Sequence, residues 1–267
     1  MKIAFIGGGN MGEAIIASLL GKKLCKPGDI SVSELIEARR DYLKQKYNVT
    51  VTANTKEAVT GKNVIILAVK PQNIGEALAE LKSVLKLGQL VLSIAAGVTI
   101  KTIKSGLGHD KVVRSMPNTP AQIGLGITGW TATAETTEEQ KGWARIILGA
   151  MGKEIYFDHE AALDMVTAVS GSGPAYFYLF AETLIQAAIG IGLDIKDAEI
   201  LVKQTMLGAA HLVNASDKPV AELRRNVTSK GGTTEQALKV FEESGLAGIV
   251  DKAVKAARKR AEELGKA

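Results

Sequence analysis

A strand, a glycine-rich turn and a helix open the chain, and together they restrict its fold more than any other feature of the sequence. Lys2-Ile3-Ala4-Phe5-Ile6 reads as a buried strand, Gly7-Gly8-Gly9-Asn10-Met11-Gly12 follows, and Glu13–Leu20 has helical spacing. Gly-x-Gly-x-x-Gly in that setting is a dinucleotide-binding turn. Gly7 makes the tight turn, Gly9 lets a pyrophosphate approach the backbone, and Gly12 lets helix and strand pack closely.

The pattern that follows extends this reading. Strands are predicted at Ile30–Ser33, Val49–Val51, Val64–Val69, Leu90–Ser93, Lys111–Arg114, Ile123–Thr131 and Glu154–Phe157. A turn and short helix fall at Asn54–Thr60, and an amphipathic helix at Thr137–Met151. After Asp158 the strand signals stop, and 160–190, 194–214, 219–225, 234–243 and 245–264 read as helices. The expected fold is α/β: an N-terminal Rossmann-like doubly wound sheet over residues 1–158, then an all-α C-terminal domain over 159–267. Apolar faces and small residues (Ala187–Gly192, Gly208–Ala210) suit close helix approach and dimerisation.

Composition excludes several classes. Lys and Arg exceed Asp and Glu by 33 to 28, a modest surplus that favours anionic ligands. Part of it is local: Lys252, Lys255, Arg258, Lys259, Arg260 and Lys266 crowd the last helix, interrupted by Glu262 and Glu263, as in a solvated face rather than a nucleic-acid interface. One cysteine, Cys25, excludes an internal disulfide. No Cys/His cluster has metal-binding spacing, and no apolar run is long enough to cross a bilayer. No signal peptide is read at the N-terminus, so the expected location is cytoplasmic.

Candidate cofactor residues lie at strand carboxyl ends, which line the ligand crevice of an open α/β sheet. Besides the glycine turn these are Ala68, Val69 and Lys70, with Pro71 opening a helical turn. Ala95, Ala96 and Gly97 leave space for a flat ring or make a tight strand-to-helix turn. At the ribose end the signal is mixed. Glu34 suits the free 2′-hydroxyl of NAD, Arg39 and Arg40 suit the phosphate of NADP, and Ser33 suits either. Asn118 and Thr119 sit on a loop stiffened by Pro117 and Pro120, to orient a ligand or to hold the turn.

A second glycine-rich turn lies far downstream, at Asn226-Val-Thr-Ser-Lys-Gly-Gly-Thr-Thr234. Thr233 with Gln236 fits a capping box, and the helical spacing of Ala237, Leu238, Val240 and Phe241 follows. Free backbone N–H groups at such a helix start bind anions, carboxylates included. Thr234 would have its hydroxyl free for a ligand.

Several stretches together resemble pyrroline-5-carboxylate reductase. They are the glycine turn, Ala68-Val69-Lys70-Pro71, Ala95-Ala96-Gly97, Arg114-Ser115-Met116-Pro117-Asn118-Thr119-Pro120, Ser170-Gly171-Ser172-Gly173-Pro174-Ala175-Tyr176 and Val227–Thr234. The resemblance runs almost end to end. It implies reduction of 1-pyrroline-5-carboxylate to L-proline with NADPH or NADH, in homodimers that sometimes assemble further into decamers. It implies cofactor contacts from Ile6, Gly7, Gly8, Gly9, Asn10, Met11, Gly12, Ser33, Glu34, Asn54, Thr55, Ala68–Pro71 and Ala95–Gly97. It implies substrate contacts from Glu160, Asn226, Gly231, Gly232, Thr233 and Thr234, with Thr234 bonding the imine nitrogen as the catalytic residue. Two positions depart from the family pattern: Lys230 stands where a proline is common, and Glu34 where NADPH-using members carry a small hydroxyl or basic residue.

The chemistry agrees with the residues. A protonated cyclic imine is already electrophilic and asks mainly for positioning. No base is evident, and His109, His159 and His211 lie outside every motif. A hydroxyacid dehydrogenase of the same build needs a proton acceptor, a lysine shortly after the second Gly-x-Gly, and Phe177 stands there instead. A non-catalytic cofactor-binding protein would not need the Asn226–Thr234 loop.

Overall fold

The structure, a computed structural model, describes residues 1–265; Lys266 of the basic cluster and Ala267 lie outside the described residues. Eight strands form one sheet: β1 (Ile3–Ile6), β2 (Ile30–Ser33), β3 (Thr50–Thr52), β4 (Val64–Leu67), β5 (Leu90–Ser93), β6 (Val112–Met116), β7 (Gly126–Ala132) and β8 (Gly152–Tyr156). Their order is β3-β2-β1-β4-β5-β6-β7-β8. All neighbours are parallel except β6 and β7. The order reverses at β1 and β4, which places the first glycine turn at the switch point of the sheet.

The central strands are continuous apolar runs because both of their faces are covered. Ile3 and Phe5 of β1, with Val64, Ile66, Leu90 and Leu92, pack on one face against Ile15, Ile16 and Leu19 of α1 (Asn10–Gly21), Leu43 of α2 (Glu37–Tyr47) and Ile147 and Leu148 of α6 (Glu138–Gly149). Ala4 and Ile6, with Ile65, Leu67 and Val91, face the other way. They meet Val59 of α3 (Thr55–Val59), Leu78 and Leu81 of α4 (Ile74–Lys82) and Ile103 and Leu107 of α5 (Ile100–Leu107). This alternation, period two along each strand, is the doubly wound layering that the sequence predicts.

Three stretches differ from expectation. The strand predicted at Ile123–Thr131 starts only at Gly126. Pro120 and Gly124, at φ 74°, make Thr119–Ile123 a 3-10 turn that reverses the chain, so β7 runs antiparallel. The run Val64–Val69 leaves the sheet after Leu67, where the backbone bends past Gly7. The helix expected over 160–190 is broken. α7 (Ala162–Val166) passes into a π turn at Thr167–Gly171, closed by Ser172 N–H to Thr167 O at 2.8 Å, before α8 (Gly173–Gly190). Pro174 has no N–H to continue the ladder.

The chain divides into two compact units, one of residues 1–172 with 257–265, the other of residues 173–256. The second contains α8, α9 (Ile195–Ala215), α10 (Val220–Asn226), α11 (Thr233–Glu243) and the start of α12 (Leu246–Leu264). Within it α8 packs on α9, and Phe180 meets Phe241 at 6.2 Å between ring centroids. Three basic residues of α12 form ion pairs along the helix, Lys255 with Asp251, Arg258 with Glu262 and Arg260 with Glu263. None of the described helices is long and apolar enough to cross a membrane.

Candidate active site: cofactor turn and substrate loop

Each glycine of the first turn answers a separate steric demand. Gly7 holds φ at 97°, and a Cβ there would sit 2.8 Å from Ala68 O. Its N–H donates to Ser33 O at 2.8 Å, which ties the turn to the end of β2. Gly12 brings α1 within 3.1 Å of Gly7 O, measured from the position of a Cβ. Gly9, the residue before α1, is different: nothing lies within 4 Å of where its Cβ would be. That open approach beside the N-terminus of a helix fits a pyrophosphate.

Glu34 follows β2 and turns its carboxylate onto the glycine turn. Oε2 accepts the Gly8 N–H at 2.8 Å, and Oε1 accepts the Ile36 N–H at 3.0 Å. Both neighbouring arginines are engaged. Arg39 donates from Nε to Gly8 O at 2.6 Å and pairs with Glu13 at 2.5 Å. Arg40 donates from Nη1 to the carbonyls of Glu34 and Leu35 at 2.8 and 2.7 Å. Glu13 gathers Arg39, Lys46, Tyr42 and Tyr47 around one carboxylate. Burial pushes its pKa up, but those four donors outweigh burial and bring it down to about 2.

Ser33 has a protein partner for its hydroxyl. It is buried, and its hydroxyl shares a 3.2 Å hydrogen bond with Thr55, whose own hydroxyl reaches Glu80 at 2.5 Å. Asn54 caps α3 by accepting the Glu57 N–H. Lys70 is exposed at the end of β4, and Pro71 opens a 3-10 turn as expected of that residue. Ala95 is buried, and Gly97 turns the chain at φ 74° toward α5. A Cβ at Gly97 would lie 3.0 Å from Leu264 Cβ, so the last helix closes over this turn.

Glu160 has fixed partners. Its Oε1 accepts from Arg114 and from the Ile100 N–H, each at 2.7 Å, and Arg114 also reaches Asp164 at 3.6 Å. Arg114 is buried, so this cluster braces β6 against α5 and α7; its residues line a cavity of about 340 Å³ with Thr99, Arg258 and Glu262. Sequence reasoning missed Arg114 as the organising cation, although it heads the Arg-Ser-Met-Pro-Asn-Thr-Pro segment. Asn118 proves to hold the turn: its side chain accepts the Ile127 N–H at 2.9 Å. Met116 fills the space left by Gly171, whose Cβ would lie 2.7 Å from the methionine methyl carbon. His109 is a buried structural residue bonded to Gln89 O, and burial lowers its pKa.

The downstream loop differs in detail from its sequence reading. Thr233 and Gln236 form no capping box. The helix begins at Thr233 with Gly232 before it, and Glu235 reaches back to accept the Gly231 N–H at 2.7 Å. Gly231, at φ 75°, makes the turn, and the Gly232 N–H is bonded to Ser229 O at 3.0 Å. Two of the four amides expected to hold a carboxylate are therefore engaged. Those of Thr233 and Thr234, on the first turn of α11, have no acceptor among the described residues. Asn226 is exposed at the end of α10, and Lys230 is exposed.

A doubly wound sheet with an open glycine turn at its switch point, joined to a helical unit, is the build of two-unit nicotinamide-dinucleotide oxidoreductases. Comparisons narrow the class. Residues 2–97 match the family model described as NADP oxidoreductase, coenzyme F420-dependent, and residues 160–264 match pyrroline-5-carboxylate reductase dimerisation. The chain is 41% identical to the pyrroline-5-carboxylate reductase of Vibrio alginolyticus over 99% of its own length and 98% of that protein. A solved pyrroline-5-carboxylate reductase from Coxiella burnetii is 40% identical, with a TM-score of 0.94 over 100% of this chain and 99% of that one. The enzyme of Plasmodium falciparum, solved with NADP bound, is 29% identical with a TM-score of 0.88 over 99% and 98% of the two chains. The chain belongs to the pyrroline-5-carboxylate reductase family.

Proposed function

We infer that the chain reduces 1-pyrroline-5-carboxylate to L-proline, the last step of proline biosynthesis, with NADPH or NADH as reductant. What carries the reading is the Asn226–Thr234 loop, with two unengaged amides at the start of α11, in a chain about 40% identical to named reductases over its full length. When bound, the nicotinamide supplies the hydride that adds to C5 of the ring. The chain's own residues position and neutralise. The substrate carboxylate rests on the amides of Thr233 and Thr234, shaped by Gly231 and Gly232 and flanked by Asn226. The Thr234 hydroxyl bonds the ring nitrogen and orients the C=N bond. Glu160, already paired with Arg114, contributes on the substrate side through that fixed pair.

The same reading includes self-association as a homodimer, with decamers as the further assembly. It is supported by the dimerisation match and by the exposure of Phe177, Leu179, Phe180, Ile200 and Leu201 on α8 and α9. The expected compartment is the cytoplasm, where a nicotinamide cofactor pool is available. The test is oxidation of NADH and of NADPH by the purified protein, each with and without 1-pyrroline-5-carboxylate. Substrate-dependent oxidation with proline as product is expected. Folded protein that binds cofactor yet turns over neither would refute the activity.

A further inference from the structure

We propose that Glu34 makes this chain discriminate against NADPH in favour of NADH. The inference rests on the nicotinamide-dependent reading above. The carboxylate stands at the end of β2 beside the glycine turn, where a Rossmann fold meets the adenosine ribose. It is held from two sides, Oε2 by the Gly8 N–H at 2.8 Å and Oε1 by the Ile36 N–H at 3.0 Å. Each oxygen keeps lone-pair capacity for a ribose hydroxyl. A 2′-phosphate brings negative charge to the same place and meets a carboxylate that cannot turn away without breaking both backbone bonds.

The two arginines nearest this carboxylate in the chain are committed elsewhere. Arg39 binds Gly8 O and Glu13, and Arg40 binds the carbonyls of Glu34 and Leu35. Recruiting either to a phosphate would undo contacts that shape the turn itself. The small hydroxyl that could serve a phosphate, Ser33, is buried against Thr55. Behind Thr55 stands another carboxylate, Glu80. Thus the ribose end offers fixed acceptors, and both Arg39 and Arg40 are engaged.

The experiment is direct titration of the full chain with NADH and with NADPH, followed by cofactor fluorescence, for the native protein and for Glu34→Gln and Glu34→Ser. Glu34→Gln retains the length and one acceptor oxygen but removes the charge. Because both cofactors are measured on each protein, a general loosening of the turn cancels in their ratio. The expected native result is a dissociation constant for NADPH at least about tenfold above that for NADH, with the gap falling to about threefold or less in Glu34→Gln. Glu34→Ser should narrow it further. Native protein that binds NADPH as tightly as NADH, or an unchanged ratio in both variants, overturns the proposal. Titration needs no pyrroline substrate, so a failed preference is distinguishable from a failed reductase activity; binding of neither cofactor overturns both.

Discussion

Replacing Glu13 by Gln should remove about 2–3 kcal/mol of stability at neutral pH and flatten the acid limb of the stability curve. Glu13 lies in the first turn of α1, where its charge also meets the positive end of the helix. Burial raises its pKa, yet hydrogen bonds from Tyr47, Lys46, Arg39 and Tyr42 bring it from 4.5 to about 2. At 1.36 kcal/mol per pH unit that lowering corresponds to about 3 kcal/mol. Solvent around the half-exposed Lys46 screens part of it, hence the lower bound of about 2. A carboxyl whose folded pKa lies below its unfolded value adds its full stability above that unfolded value. The contribution fades as pH falls from 4.5 toward about 2. Urea unfolding followed by circular dichroism, at several values between neutrality and strong acid, reads this directly. The difference between native and Glu13→Gln protein should be widest near neutrality and close as acid protonates Glu13. A difference that stays constant with pH would refute the linkage and leave only lost packing.

Three further outcomes are expected. Thr234→Ala should lower kcat about tenfold or more while the dissociation constant for NADH stays within about twofold; unchanged turnover removes the hydroxyl from the mechanism. Gly9→Ala should leave unfolding within about 0.5 kcal/mol of native, since φ is −65° and the space is open, yet weaken cofactor binding about tenfold; equal binding would mean no phosphate passes there. Arg114→Met should destabilise by about 3 kcal/mol, because Glu160 and Asp164 lose their shared cation; a loss below about 1 kcal/mol in urea unfolding would show the pair to be dispensable.

The sheet was legible because its strands obey a local rule. Ile30–Ser33 and Leu90–Ser93 fall at the expected residues, and buried apolar runs bounded by turns need no tertiary knowledge. The glycine turn was legible because its spacing lies within one short segment between a strand and a helix, with Gly12 packed against Gly7 O. What escaped depended on distant partners. Nothing local in Thr167–Gly171 announces a π turn; Met116, far off in sequence, occupies the gap at Gly171. The capping box at Thr233 and Gln236 fitted the pattern, but Glu235 took the reach-back role one position earlier. Nor could the sequence tell that Arg39 and Arg40 are engaged with backbone carbonyls.

The sequence-distant closure at Gly97 bears on how the protein is made. Residues 257–265 belong to the same compact unit as residues 1–172, and Leu264 packs on Gly97. During synthesis the sheet can assemble early, but this last piece of its wall emerges only after the whole of residues 173–256 has been made. Until then the Gly97 turn and the cavity beside Arg114 lack Arg258, Glu262 and Leu264 as neighbours. Fragments cut at the end of the strands would carry that same gap permanently.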